Sequence, residues 1–161
     1  MSFDDKEQSE KFMRHAIALG RKGMEAGDGG PFGAIIVKNG NIIGEGWNHV
    51  LSSNDPTAHG EIVAIRDASK RIQSYDLSGC DLYTSGEPCP MCLSAIYWAR
   101  LERVFYGFSI QAAATLFDDE FIFSELKKPS AQRRIPEIQL LEAEALKTLD
   151  EYTANPNRII Y

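Results

Sequence analysis

Apolar and polar positions divide the chain into short elements. Over residues 8–26, Phe12, Ala16, Ile17, Leu19 and Met24 make an apolar stripe with charges opposite, and Gly27, Gly29 and Gly30 follow. This predicts a first helix with a clear stop. Gly33-Ala34-Ile35-Ile36-Val37 is a β-rich run, Asn39-Gly40 follows, and Ile42-Ile43 resumes the apolar pattern. An Asn-Gly pair between two such runs predicts a hairpin, because both turn positions tolerate positive φ. Its strands are expected at 33–38 and 41–47, antiparallel.

Asn54-Asp55-Pro56-Thr57 reads as a turn into a second helix at 58–73, with Ile62, Ala64 and Ile65 inward and Arg66, Asp67, Lys70 and Arg71 outward. A strand is expected at 81–84, a third helix at 90–100 and a strand at 104–107. Further on the pattern predicts a helix at 111–117, a fifth strand at 138–141 and a helix at 142–153. Strands alternating with helices make this an α/β chain.

The candidate chemistry lies between His59 and Cys92. His59-Gly60-Glu61 opens the second helix, and Pro88-Cys89-Pro90-Met91-Cys92 opens the third. One imidazole and two thiols make a three-donor set for zinc, with an acid beside it. Structural zinc sites close with four protein ligands, whereas catalytic sites keep three and leave a place for water. H-x-E followed by P-C-x-x-C is the known signature of zinc deaminases. A helix start also favours thiolates and anions electrostatically.

Two other readings are open at this point. C-x-x-C alone suits a thioredoxin-type redox pair. A purely structural zinc would need a fourth ligand, for which His49 and Cys80 are the candidates. If the site is catalytic, one Zn2+ per chain held by His59, Cys89 and Cys92 would lower the pKa of a water towards about 7. Glu61 would take that proton and return protons to a ring nitrogen and a leaving amine.

Composition narrows the partners. The 161 residues suit one domain, and 43% hydrophobic with 25% charged residues is ordinary for a soluble globular protein. The formal net charge of -6 and a single basic cluster (Lys127, Lys128, Arg133, Arg134) argue for a small-molecule substrate over nucleic acid. No apolar run is long enough to span a membrane, and the acidic, polar start MSFDDKEQSEK does not read as a secretory leader. A cytoplasmic location is expected, and three cysteines without a secretion signal argue against a disulfide framework.

The segments GDGGPFGAIIVKNG, NDPTAHGEIVAIRDA, LYTSGEPCPMC with AIYWAR, FDDEFI and the final tyrosine resemble the cytidine deaminase-like zinc hydrolases, and more narrowly the short bacterial guanine deaminases. The resemblance implies a three-layer α/β/α sandwich around a mixed sheet. It also implies a homodimer in which the C-terminal segment, about 130–161, crosses to complete the partner's pocket. The substrate it implies is a purine base, guanine, converted to xanthine and ammonia; guanosine, cytosine or adenosine in tRNA are rival substrates of the same chemistry, and a zinc-stabilised interaction module is the non-enzymatic rival.

By motif match, Phe32 would stack on the base, Asn48 would hydrogen-bond it and Gly60 would lie against it. Trp98 would line the pocket, Asp119 would contact the guanine amino region and help shuttle protons, and Tyr161 or its carboxylate would close the pocket. Each has a plainer alternative: core packing for Phe32 and Trp98, a turn cap for Asn48, a helix cap for Asp118 or Asp119. The chain departs from the family where Gly60 replaces the usual alanine and Gly86 the usual cysteine.

Overall fold

The computed structural model describes residues 3–161; Met1 and Ser2, the start of the segment weighed as a leader, lie outside them. The chain forms two compact units, Met1–Phe123 and Ser124–Tyr161.

The first unit begins with α1 (Phe3–Ala26), followed by β1 (Gly33–Lys38) and β2 (Asn41–Trp47). The hairpin forms where the Asn-Gly pair predicts it. Lys38 pairs with Asn41, and the two turn residues between them, Asn39 and Gly40, have φ of 49° and 76°. Two consecutive positive φ angles match the twist of the flanking strands. Next come α2 (Val50–Ser53), α3 (Gly60–Ile72), β3 (Cys80–Gly86), α4 (Pro90–Trp98), β4 (Arg103–Phe108), α5 (Ile110–Ala113) and the start of α6 (Asp119–Leu126).

The four strands lie in the order β2-β1-β3-β4. β1 is antiparallel to both β2 and β3, while β3 and β4 are parallel. The sheet is therefore mixed, and the parallel pair takes α4 as its crossover. β1 is covered on both faces, so it reads as a continuous apolar run. Ile35 and Val37 pack with Phe12, Ala16 and Tyr83 on the α1 side. Ala34 and Ile36 pack with Ala64, Ala68, Leu82 and Ile96 on the other. Helix, sheet and helices thus make the three expected layers within this unit. A Cβ on Gly44 would lie 2.5 Å from the Ala64 carbonyl oxygen, so α3 sits directly on the β2 backbone.

The buried stripe of α1 differs from the expected one. Phe12 and Ala16 are in the core, with Met13 and Leu19 packed against it, whereas Ile17 and Met24 are 42% and 47% exposed.

The second unit holds the end of α6, a 3-10 turn at Ser130–Gln132, and α7 (Glu142–Ala154). The strand expected at 138–141 does not form. A strand needs a ladder partner, and this unit contains no other strand. Leu141 instead adopts positive φ, 54°, and precedes α7. No residue of the unit is buried, although Leu140, Leu141, Leu146, Leu149, Ile159 and Ile160 are all apolar.

Candidate metal centre and active site

Two helix starts deliver the three donors. His59 is the N-cap of α3, in extended backbone and without a side-chain cap bond, which leaves its ring free to turn inward. The approach is fixed by Asp55, whose Oδ1 accepts from the Thr57 N–H at 2.8 Å and hydroxyl at 2.7 Å. Cys89 is the N-cap of α4, and its Sγ accepts from the Cys92 N–H at 3.5 Å. Pro90 follows at the first helical position, where a missing N–H goes unmissed.

His59 Nδ1 stands 3.6 Å from Cys89 Sγ and 3.5 Å from Cys92 Sγ. All three donor atoms lie within 4.8 Å of one another. A tetrahedral ion at ordinary Zn–N and Zn–S lengths requires an N···S edge of about 3.5 Å. The site therefore has both the chemistry and the spacing for zinc. Among the described residues these three form the group that converges in this way.

The proposed fourth ligands are elsewhere. Cys80 is fully buried at the opposite end of β3. The His49 ring lies 4.8 Å from Trp47, with Nδ1 3.4 Å from the Ser52 hydroxyl and 3.9 Å from Asp28.

Without a cation the donors share protons unevenly. Cys89 is lowered to about 4, first by its hydrogen bond with Cys92 and further by one with His59. Cys92 is raised, by the same bond with Cys89 and by burial. His59 is raised by its bond to Cys89.

Glu61, the second residue of α3, is 4% exposed, and burial pushes its carboxyl up. Asp119 opens α6 and is half-buried; burial raises it too, followed by the negative charge of Cys89. The two adjacent aspartates have different surroundings. Asp118 Oδ1 accepts from the Phe121 N–H at 3.2 Å and so caps the helix, while Asp119 feels the charges of Cys89 and His59.

Phe32 and Asn48 meet through the main chain: the Asn48 N–H donates to the Phe32 carbonyl at 2.9 Å. Asn48 is buried, and its Oδ1 accepts from the Val50 N–H at 3.1 Å, as the turn-cap alternative foresaw. The Phe32 ring has its centroid 4.9 Å from that of Phe117 and 5.7 Å from that of Phe108. Gly60 is buried at the start of α3. Trp98 ends α4 and is 68% exposed, and Tyr161 belongs to the second unit.

The family model for the cytidine and deoxycytidylate deaminase zinc-binding region matches residues 6–108. The chain belongs to this family. It is a zinc-dependent deaminase, and its zinc-binding residues are His59, Cys89 and Cys92. Guanine deaminase of Bacillus subtilis (strain 168) is 50% identical over 153 residues, covering 94% of this chain and 98% of that protein. The crystal structure of the guanine deaminase from Bacillus subtilis superposes with a TM-score of 0.90, over the same shares of the two chains. A tRNA-specific adenosine deaminase of Haemophilus influenzae is 46% identical over 104 residues, 64% of this chain and 60% of that protein. A further solved structure, 34% identical with a TM-score of 0.64, covers 67% of this chain and 63% of its own and is a complex with 8-azaguanine.

Two aromatic neighbours of Phe32 in this deaminase were not singled out from the sequence. Phe117 precedes the two aspartates, so the Phe-Asp-Asp motif itself carried a signal. Phe108 had none, since only the register of β3 and β4 sets it opposite Gly86.

Proposed function

We propose that the reaction is the hydrolytic deamination of guanine to xanthine and ammonia. The observation that carries this is the degree of the likeness over nearly the whole chain. The Bacillus subtilis guanine deaminase is 50% identical over 94% of the chain, whereas the tRNA-specific adenosine deaminase of Aquifex aeolicus is 36% identical over 89%. The net charge of -6 also disfavours a phosphate-rich substrate.

Zinc held by His59, Cys89 and Cys92 supplies Lewis-acid activation of water. Glu61 takes the water's proton and returns protons to the ring nitrogen and the leaving amine. Its burial suits a group that must hold a proton between steps. Phe32 stacks on the base and Asn48 hydrogen-bonds it. Gly60 lets the first turn of α3 pack directly on the Phe32 peptide beside the base, and Asp119 binds the amino region and relays protons. Trp98 lines the pocket.

The test is ammonia release from a panel of guanine, guanosine, cytosine and adenosine by the zinc-loaded protein. Turnover confined to guanine is expected. Turnover of another member of the panel alone would replace the substrate assignment, and none at all would leave a zinc-stabilised interaction module.

The working form is a homodimer in which the segment from about residue 130 onward completes the partner's pocket. The apolar side chains of a unit with no buried residue support this, because 38 residues without a core do not hold a fold alone. Sedimentation is expected to give twice the chain mass of 17.9 kDa; a monomer at micromolar concentration would refute the exchange. Tyr161 acts as a lid, so its deletion should raise KM about tenfold with zinc content unchanged, in line with the loss of one aromatic contact to a base. Unchanged kinetics would remove it from the pocket. We also place the reaction in the cytoplasm, where three free thiols persist in the reduced state; no helix among the described residues is long and apolar enough to cross a membrane.

A further inference from the structure

The Phe32 main chain is held from several sides. Its carbonyl accepts from Asn48, its own N–H donates to Gly30 at 2.8 Å, and the next N–H, of Gly33, donates to Ser85 Oγ at 3.0 Å. A Cβ on Gly60 would lie 2.9 Å from the Phe32 carbonyl oxygen, so the start of α3 presses against the same peptide. With its backbone fixed, Phe32 can adjust only through its ring.

That ring meets Phe108 above Gly86. A Cβ on Gly86 would lie 2.8 Å from two atoms of the Phe108 ring and 3.1 Å from Cδ1 of Phe32. Gly86 and Phe108 are register partners across the parallel β3–β4 pair, and the Glu87 N–H donates to the Phe108 carbonyl at 2.8 Å. The backbone of Phe108 is therefore also fixed, and any side chain at position 86 must displace rings. Phe108 has somewhere to go, since it borders a cavity of about 550 Å³ lined also by Ile17, Met24 and Pro31.

We propose that Gly86 and Phe108 are positioning residues for the base-stacking ring: the missing side chain at 86 seats Phe108, and Phe108 seats Phe32 at the angle the purine requires. This rests on the reading of Phe32 as the stacking residue. The pair supplies neither a zinc donor nor the proton-carrying acid, so its effect should fall on substrate binding and spare the chemical step.

The experiment is steady-state kinetics on guanine with the zinc-loaded wild type, Gly86→Ala, Phe108→Ala and the double variant, with zinc content measured on each. Gly86→Ala is expected to raise KM about tenfold, the scale of a disturbed base–aromatic stack, with kcat within about twofold and zinc retained. Phe108→Ala in that background should recover at least about threefold in KM, because removing the crowded ring lets Phe32 return. A general loss of packing would instead make the double variant worse than either single one.

Unchanged KM in Gly86→Ala, or a double variant equal to the product of the singles, would overturn the proposal. If Gly86→Ala fails to fold or loses zinc, Phe108→Ala decides: a raised KM at unchanged kcat supports the pairing, and an unchanged KM overturns it. A wild type inactive on guanine would sink the substrate assignment separately. The same ratios would then be read as 8-azaguanine affinities by calorimetry, and a wild type that binds neither overturns both.

Discussion

Glu61→Gln is expected to keep zinc and lose about a thousandfold in kcat, in the middle of the range for removing a positioned general acid–base group. Glutamine keeps the shape of the buried side chain but cannot take a proton from water. Near wild-type turnover by this variant would remove Glu61 from its role. The same substitution has a second readout in the metal-free protein. Burial raises the Glu61 carboxyl above its ordinary value of 4.5, so the stability it contributes is present below that value. This contribution is lost as pH rises through the raised one. Glutamine does not titrate, so the metal-free variant should melt higher than the metal-free wild type at neutral pH. Equal melting temperatures would contradict the burial cost.

Cys92→Ala is expected to abolish both zinc binding and turnover. Outer contacts to a metal ligand are worth roughly 10–100-fold in affinity, and removal of a donor itself should exceed that. The check is zinc content after dialysis, followed by thermal unfolding with and without a chelator. Ligand-linked stability predicts that chelation lowers the wild-type midpoint and leaves the variant unchanged. Retention of one zinc per chain by Cys92→Ala would mean that the donor set is wrong.

Local chemistry made much of this fold legible. Asn39-Gly40 specified the hairpin because its turn requires consecutive positive φ. The three donors were legible because they sit at two helix starts: Cys89 is the N-cap of a helix that begins at residue 90 as expected, whereas His59, expected inside a helix from residue 58, is itself the N-cap. The elements that escaped depend on distant partners. α2 goes unannounced by its own sequence because its Leu51 and Ser52 N–H groups are satisfied by the Asp28 carbonyl, more than twenty residues earlier. Residues 138–141 look strand-like, but apolar content cannot supply a neighbouring ladder. The same limit applies to Gly86: its meaning comes from the Phe108 ring, which only tertiary register brings to it. Either Asp118 or Asp119 could have been a helix cap from sequence, and helix geometry gives that place to Asp118.

X-ray absorption at the zinc edge tests the open three-donor site most directly. The zinc-loaded protein should show two sulfurs near about 2.3 Å and two lighter atoms near about 2.0–2.1 Å, one from His59 and one from solvent. A purine-base analogue that reaches the ion should perturb the solvent atom alone. A shell of four protein donors, unaltered by any such ligand, would contradict the account.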